Sequence, residues 1–247
     1  MRTLPKGAFD ARIFGKKCLT TACLKGTQKD QLDPACSEDC LVLNVFSPSG
    51  YKPGAKANYP VLVWINGGAY SGGDSQQFNG MQHVEASGGD MVWVTVEYRL
   101  NVFGFVGLAA LRSRDAQGSV GNYGLQDQRL ALQWVQKNIT SFGGDPGSVT
   151  IDGSSAGGGS TANHVVNAHS WPFFHKAAGE NGEFAMWNSM PLSDAEQTFS
   201  AVLNRTACAA GAGSVDCLEK KTALELLSAS DLPLSRSRGG PSRTRWT

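Results

Sequence analysis

Residues 142–160, FGGDPGSVTIDGSSAGGGS, decide how this chain is read. The run SVTID (148–152) is short, carries β-branched residues and is bounded by turn residues, which is the pattern of a strand. The stretch 157–167, GGGSTANHVVN, is rich in small residues and reads as a helix. Between them, Gly153-Ser154-Ser155-Ala156-Gly157 is G-x-S-x-G. A nucleophile on a tight strand-to-helix turn sits in strained backbone, so the residues two before and two after it must be small. The helix N-terminus then aims free N–H groups and a positive dipole end at the same place. Ser155 is therefore the candidate nucleophile. The alternative is a glycine-rich turn that merely packs a helix against a sheet.

The neighbouring texture fits a layered α/β chain. VLVWI (61–65) and VWVTV (92–96) are continuous apolar runs, as expected of strands covered on both faces. The first leads straight into Asn66-Gly67-Gly68-Ala69-Tyr70 and then Ser71-Gly72-Gly73. Backbone poor in side chains after a central strand can present N–H groups to a developing oxyanion. Leu125, Leu132, Val135 and Ile139 fall at helical spacing, ending before the breaker Gly143-Gly144-Asp145-Pro146. Ser193-x-x-Glu196 and Thr222-x-x-Glu225 read as capping boxes of two later helices. Strands alternating with helices predict a mostly parallel sheet with crossovers.

Composition narrows the function. The 247 residues are 41% hydrophobic and only 17% charged, with a net charge of +1, which excludes a disordered chain and argues against a nucleic-acid binder. Four arginines (Arg236, Arg238, Arg243 and Arg245) sit in an acid-free tail; without them the balance is 18 basic against 21 acidic residues. No apolar run approaches the roughly 18 residues of a membrane helix, and no signal-peptide h-region is visible at the start. The six cysteines lack zinc spacing, so they read as three disulfides of an oxidising compartment. The sequons Asn138-Ile-Thr140 and Asn204-Arg-Thr206 agree with a secreted or lumenal chain.

Four further stretches carry a resemblance: SEDCLVLNVFSP (37–48), VLVWINGGAYSGG (61–73), VWVTVEYRLNVFGF (92–105) and GNYGLQDQRLALQWVQKNI (121–139). In this order, leading into the G-x-S-x-G turn, they resemble the type-B carboxylesterase and cholinesterase-like branch of the α/β-hydrolases. The resemblance implies an α/β-hydrolase fold: a mostly parallel sheet with helices on both faces, incomplete at both ends. It covers a partial domain over 1–231, followed by an Arg/Ser/Gly-rich tail over 232–247 that resembles no part of the family. It implies a serine carboxylic-ester hydrolase acting through an acyl-enzyme on Ser155, with a small carboxylic ester as substrate and no metal or organic cofactor. The backbone N–H groups of Gly68, Ala69 and Ala156 would form the oxyanion hole. The implied disulfides are Cys18–Cys40 and Cys208–Cys217, with Cys23–Cys36 as the remaining pair. Four positions depart from the family's usual residues: Ser154 for Glu, Ala69 for Gly, Glu97 for Asn and Asn181 for Ser.

A serine hydrolase also needs a base and an orienting carboxylate, in the chain order Ser, Asp or Glu, His. The histidines are His83, His164, His169 and His175, and the first acid after Ser155 is Glu180, so that order is not met within these residues. His164, nine residues into the helix, lies about 13 Å along its axis from Ser155. His169 and His175 read as packing or surface positions. The expectation is a fragment of an esterase, weakly active or inactive by itself. The alternative is a non-catalytic cholinesterase-like binding or adhesion module, or an inactive relic.

Overall fold

The computed structural model describes residues 11–116, 118–182 and 189–230. Its centre is a five-stranded sheet of β3 (Leu43–Phe46), β4 (Tyr59–Ile65), β5 (Val92–Val96), β6 (Gly144–Gly153) and β7 (Lys176–Ala177). The spatial order is β3-β5-β4-β6-β7; β3 runs antiparallel to β5 and the other pairs are parallel. Near the N-terminus β1 (Leu24–Lys25) and β2 (Gln31–Leu32) form a small antiparallel hairpin. The mostly parallel sheet predicted from the sequence is the one observed.

Alternation along the strands sorts their side chains between two faces. Val61, Val63 and Ile65 of β4, the valines 92, 94 and 96 of β5, and Val149 and Ile151 of β6 form the main core. Covering that face is α3 (Tyr123–Asn138), which contributes Leu125, Leu132 and Val135, so the periodicity read over 125–139 is indeed the buried face of a helix. On the opposite face Trp64, Trp93, Leu62 and Phe46 meet Val84 of α1 (Gly80–Ala86). Both faces are therefore covered, which explains why β5 is buried along its whole length.

Short α2 (Asn101–Phe105) follows β5, and α4 (Ala156–Val166) follows β6. A satellite core joins Val102, Val106 and Leu108 to Phe199, Val202 and Leu203 of α5 (Leu192–Arg205) and Val215 of α6 (Ser214–Leu218). The last helix, α7 (Ala223–Ser230), plugs Leu227 against Leu19, Cys23 and Leu24 of the N-terminal segment. Three disulfides staple the periphery: Cys18–Cys40, Cys23–Cys36 and Cys208–Cys217.

Two local expectations need correction. The breaker 143–146 does not precede the strand but opens it: Gly144 already pairs with Tyr59, and a register shift between Tyr59 and Val61 takes up the irregularity. The predicted box at Ser193 does not form, because Pro191 is the N-cap and Glu196 instead accepts the N–H of Ala109 at 2.8 Å. A long-range acceptor role outcompetes a local one there. The box at Thr222 does form, with Glu225 N–H reaching the Thr222 hydroxyl and Thr222 N–H reaching the Glu225 carboxylate. The tail, 232–247, lies outside the described residues.

Candidate active site

Only Ser154 and Ser155 separate the last residue of β6 from the first of α4, and Ser155, the N-cap, has φ 57° and ψ −119°. Those angles match the first central residue of a type II′ turn, a conformation that favours glycine over any residue with a Cβ. A serine is held there only because its surroundings leave no other path for the chain. Its N–H donates to Glu180 O at 2.7 Å, and its carbonyl accepts from Gly159 N–H at 2.9 Å. On the other side of the turn, Gly157 N–H reaches Ser154 O at 2.8 Å. A Cβ on Gly157 would stand 2.0 Å from Ile65 O, so α4 can start beside the end of β4 only with glycine at that position.

The loop after β4 lies against this turn. A Cβ on Gly67 would come within 2.5 Å of Ser154 O and 3.2 Å of Ser155 Cβ. Gly68, Ala69 and Tyr70 then run consecutively at positive φ, 120°, 54° and 58°. The turn closes on itself through Ser71 and Gly72 N–H groups, which both donate to Gly68 O. The N–H groups of Gly68 and Ala69 donate to no backbone carbonyl among the described residues, and that of Ala156, first in α4, has no acceptor within its own helix. Ala156 follows the serine directly, and Gly68 and Ala69 follow Gly67, whose added Cβ would come within 3.2 Å of Ser155 Cβ.

The histidines sit elsewhere. His164 is fully buried on α4 with both ring nitrogens engaged, Nδ1 with Ser170 Oγ at 2.9 Å and Nε2 with Gln128 Oε1 at 3.0 Å. Burial, with Arg129 nearby, pulls its pKa down to about 4. His83, on α1, stacks on Trp93 with ring centroids 4.1 Å apart. Through the register Trp93–Leu62–Thr150 it is level with a residue five before Ser155, about 16 Å along the strand. His175 brackets Val149, giving its N–H to that carbonyl and accepting Val149 N–H at Nδ1, six residues below the turn. His169 is exposed beyond the far end of α4.

The lineage follows from similarity to known proteins. The model of the carboxylesterase family matches residues 5–241. The chain belongs to the carboxylesterase family. This carboxylesterase-family chain is 41% identical over 197 residues to cocaine esterase of Oryctolagus cuniculus, covering 77% of the chain and 34% of that relative. It is 40% identical over 193 residues to acylcarnitine hydrolase of Mus musculus, covering 77% and 32% respectively. Among solved structures, carboxylesterase EST55 of Geobacillus stearothermophilus superposes with a TM-score of 0.73 at 34% identity, over 85% of this chain and 43% of that one. The chain thus spans about a third of the length of the curated relatives it matches.

Sequence reasoning missed the brace beneath the serine. Glu180 takes the Ser155 N–H on its carbonyl and returns its own N–H to Gly153 O at 2.9 Å, while a Cβ on Gly182 would lie 1.8 Å from Ser155 O. These are backbone contacts, so no residue type at 180 announces them; only the Asn181-Gly182 turn signal, with Asn181 at φ 54°, hints at a tight bend. Asn204 is exposed on α5, whereas the Asn138 side chain donates to Trp134 O at 2.8 Å.

Proposed function

We propose that this chain supplies the nucleophile and oxyanion hole of a serine carboxylic-ester hydrolase. Ser155 attacks the ester carbonyl through Oγ, a base takes the hydroxyl proton, and the alcohol leaves as the acyl-enzyme forms; water then releases the acid. The N–H groups of Gly68, Ala69 and Ala156 receive the negative charge that develops on the carbonyl oxygen, where one donor is worth about 10²–10³ in rate. The observation that carries this reading is the backbone of Ser155: a positive-φ serine between β6 and α4, faced by a glycine loop that a single added Cβ would block. Strain of that kind is retained where it presents a side chain for chemistry.

The bond type is what the relatives have in common: one is named for cocaine and another for acylcarnitine. Within residues 1–247 no histidine stands in the order the mechanism requires, and each of the four is engaged elsewhere or lies remote from Ser155, so the base and its carboxylate come from outside this stretch. In the chain by itself, activity is accordingly very low; loss of the base alone costs about 10⁶ in kcat. The three disulfides and two sequons support folding in an oxidising, secretory compartment. Among the described residues no helix is long and apolar enough to cross a membrane.

The test is covalent labelling with a fluorophosphonate probe followed by peptide mapping. Slow modification at Ser155, lost in Ser155→Ala, is expected. Equal labelling of the Ser155→Ala variant, or modification at another serine, overturns the assignment.

A further inference from the structure

The 66–75 loop carries three consecutive residues at positive φ, a conformation that persists only where the surroundings over-determine it. One five-residue segment supplies that restraint. Tyr98 O–H donates to Asn66 O at 2.6 Å, where the loop leaves β4. Asn101 N–H donates to Tyr70 O at 2.7 Å, at its left-handed apex. The Glu97 carboxylate accepts Ser75 N–H at 2.7 Å, where the loop descends. Entry, apex and exit are thus all held by residues 97–101, the chain that continues β5.

The segment is itself fixed from behind. The second oxygen of Glu97 accepts Cys18 N–H at 3.1 Å, and Asn101 Nδ2 donates to Leu19 O at 2.8 Å, both on the segment stapled by Cys18–Cys40. Arg99 makes a two-pronged ion pair with Asp127 of α3, with both contacts at 2.8 Å. Glu97 is 3% exposed and Tyr98 1% exposed. A buried carboxylate is costly to keep, yet here each of its oxygens is spent on a backbone N–H from a different loop.

We propose that Glu97 and Tyr98 are positioning residues that clamp the 66–75 loop between β5 and the Cys18–Cys40 segment, and so set where the Gly68 and Ala69 N–H groups stand. The proposal rests on the oxyanion role given to that loop above. It assigns a purpose to Glu97, where the family usually has asparagine: a carboxylate accepts from two N–H groups at once, which a side-chain amide cannot do with both its atoms. Groups facing the Glu97 carboxylate are Asp74, which is paired with Lys17 at 2.9 Å, and the buried phenol of Tyr98. Burial pushes the Glu97 carboxyl up, against the pull of the Ser75 and Cys18 N–H groups, and Asp74 pushes it the same way.

Peptide-resolved amide hydrogen exchange on the 247-residue chain tests the clamp. In Glu97→Gln, exchange at Ser75 and Cys18 should rise roughly tenfold or more, as expected for losing a charge-assisted bond, while β4 and the melting temperature stay unchanged. Tyr98→Phe should accelerate exchange at Ser71 and Gly72, whose N–H groups close the turn on Gly68 O, and spare Cys18. In the unmodified chain, Ser75 and Cys18 protection relative to Val63 should fall as pH drops through the raised range of Glu97; in Glu97→Gln that step should vanish. Loop exchange unchanged in both variants overturns the clamp. So does acceleration spread evenly through β4 with a falling melting temperature, and so does the same pH step with and without Glu97. These readouts are independent of Ser155 reactivity. Coupled exchange without fluorophosphonate labelling refutes the hydrolase reading alone, and labelling with an indifferent loop refutes the clamp alone.

Discussion

Replacing Ser155 by glycine and by alanine separates the strain at this position from its chemistry. Both substitutions delete the hydroxyl; only glycine also removes the Cβ that makes φ 57°, ψ −119° unfavourable. A residue held in such a region carries about 1–3 kcal/mol of strain. Against that, glycine's freedom in the unfolded chain costs about 0.5–1 kcal/mol relative to alanine. The balance leaves Ser155→Gly more stable than Ser155→Ala by about 1 kcal/mol. At the scale of a 150–250-residue domain this is about 2–4 °C in melting temperature. Differential scanning calorimetry of the two variants at matched pH, with disulfides intact, reads the difference directly. The turn itself stays braced in both, because the bonds from residue 155 to Glu180 and Gly159 are backbone bonds. An alanine variant as stable as the glycine variant, or more stable, would show that Ser155 is not strained and would remove the observation on which the nucleophile assignment rests.

Two other outcomes follow from the same geometry. Gly157→Ala places a Cβ 2.0 Å from Ile65 O, a backbone atom that cannot rotate away, so at least about 3 kcal/mol of destabilisation is expected in urea titration, at or above the usual range for overpacking; a near-neutral value would mean that α4 does not start against β4 as described. His164 has its folded pKa lowered to about 4 from 6.5, so the stability it contributes is complete above 6.5 and is lost as pH falls from there towards 4. At about 1.4 kcal/mol per pH unit the loss reaches about 3 kcal/mol, and His164→Gln should flatten that part of the pH–stability curve; an unchanged slope in the variant would assign it to carboxylates instead.

What the sequence determined by itself is the local chemistry. Continuous apolar runs gave the strands around 61–65 and 92–96, and helical spacing from Leu125 to Ile139 gave α3, because burial on both faces or on one leaves its trace in residue type. The glycines around Ser155 were legible for a similar reason: a close approach of backbones admits only the residue without a Cβ, so the constraint is written at the position itself. The tertiary structure alone decided what depends on distant partners. Glu196 was readable as a local cap and turned out to accept from Ala109, and Glu180 braces Ser155 through atoms that every residue possesses. Helix rise alone set His164 about 13 Å from Ser155, but that Ser170 and Gln128, one from a turn and one from α3, occupy both of its nitrogens was not legible. The contacts of 97–101 with the loop and with the Cys18–Leu19 segment likewise join residues up to 82 positions apart. A backbone hydrogen bond leaves no mark on residue identity, and a buried polar side chain does not name its partner, so only the fold could bring these groups together.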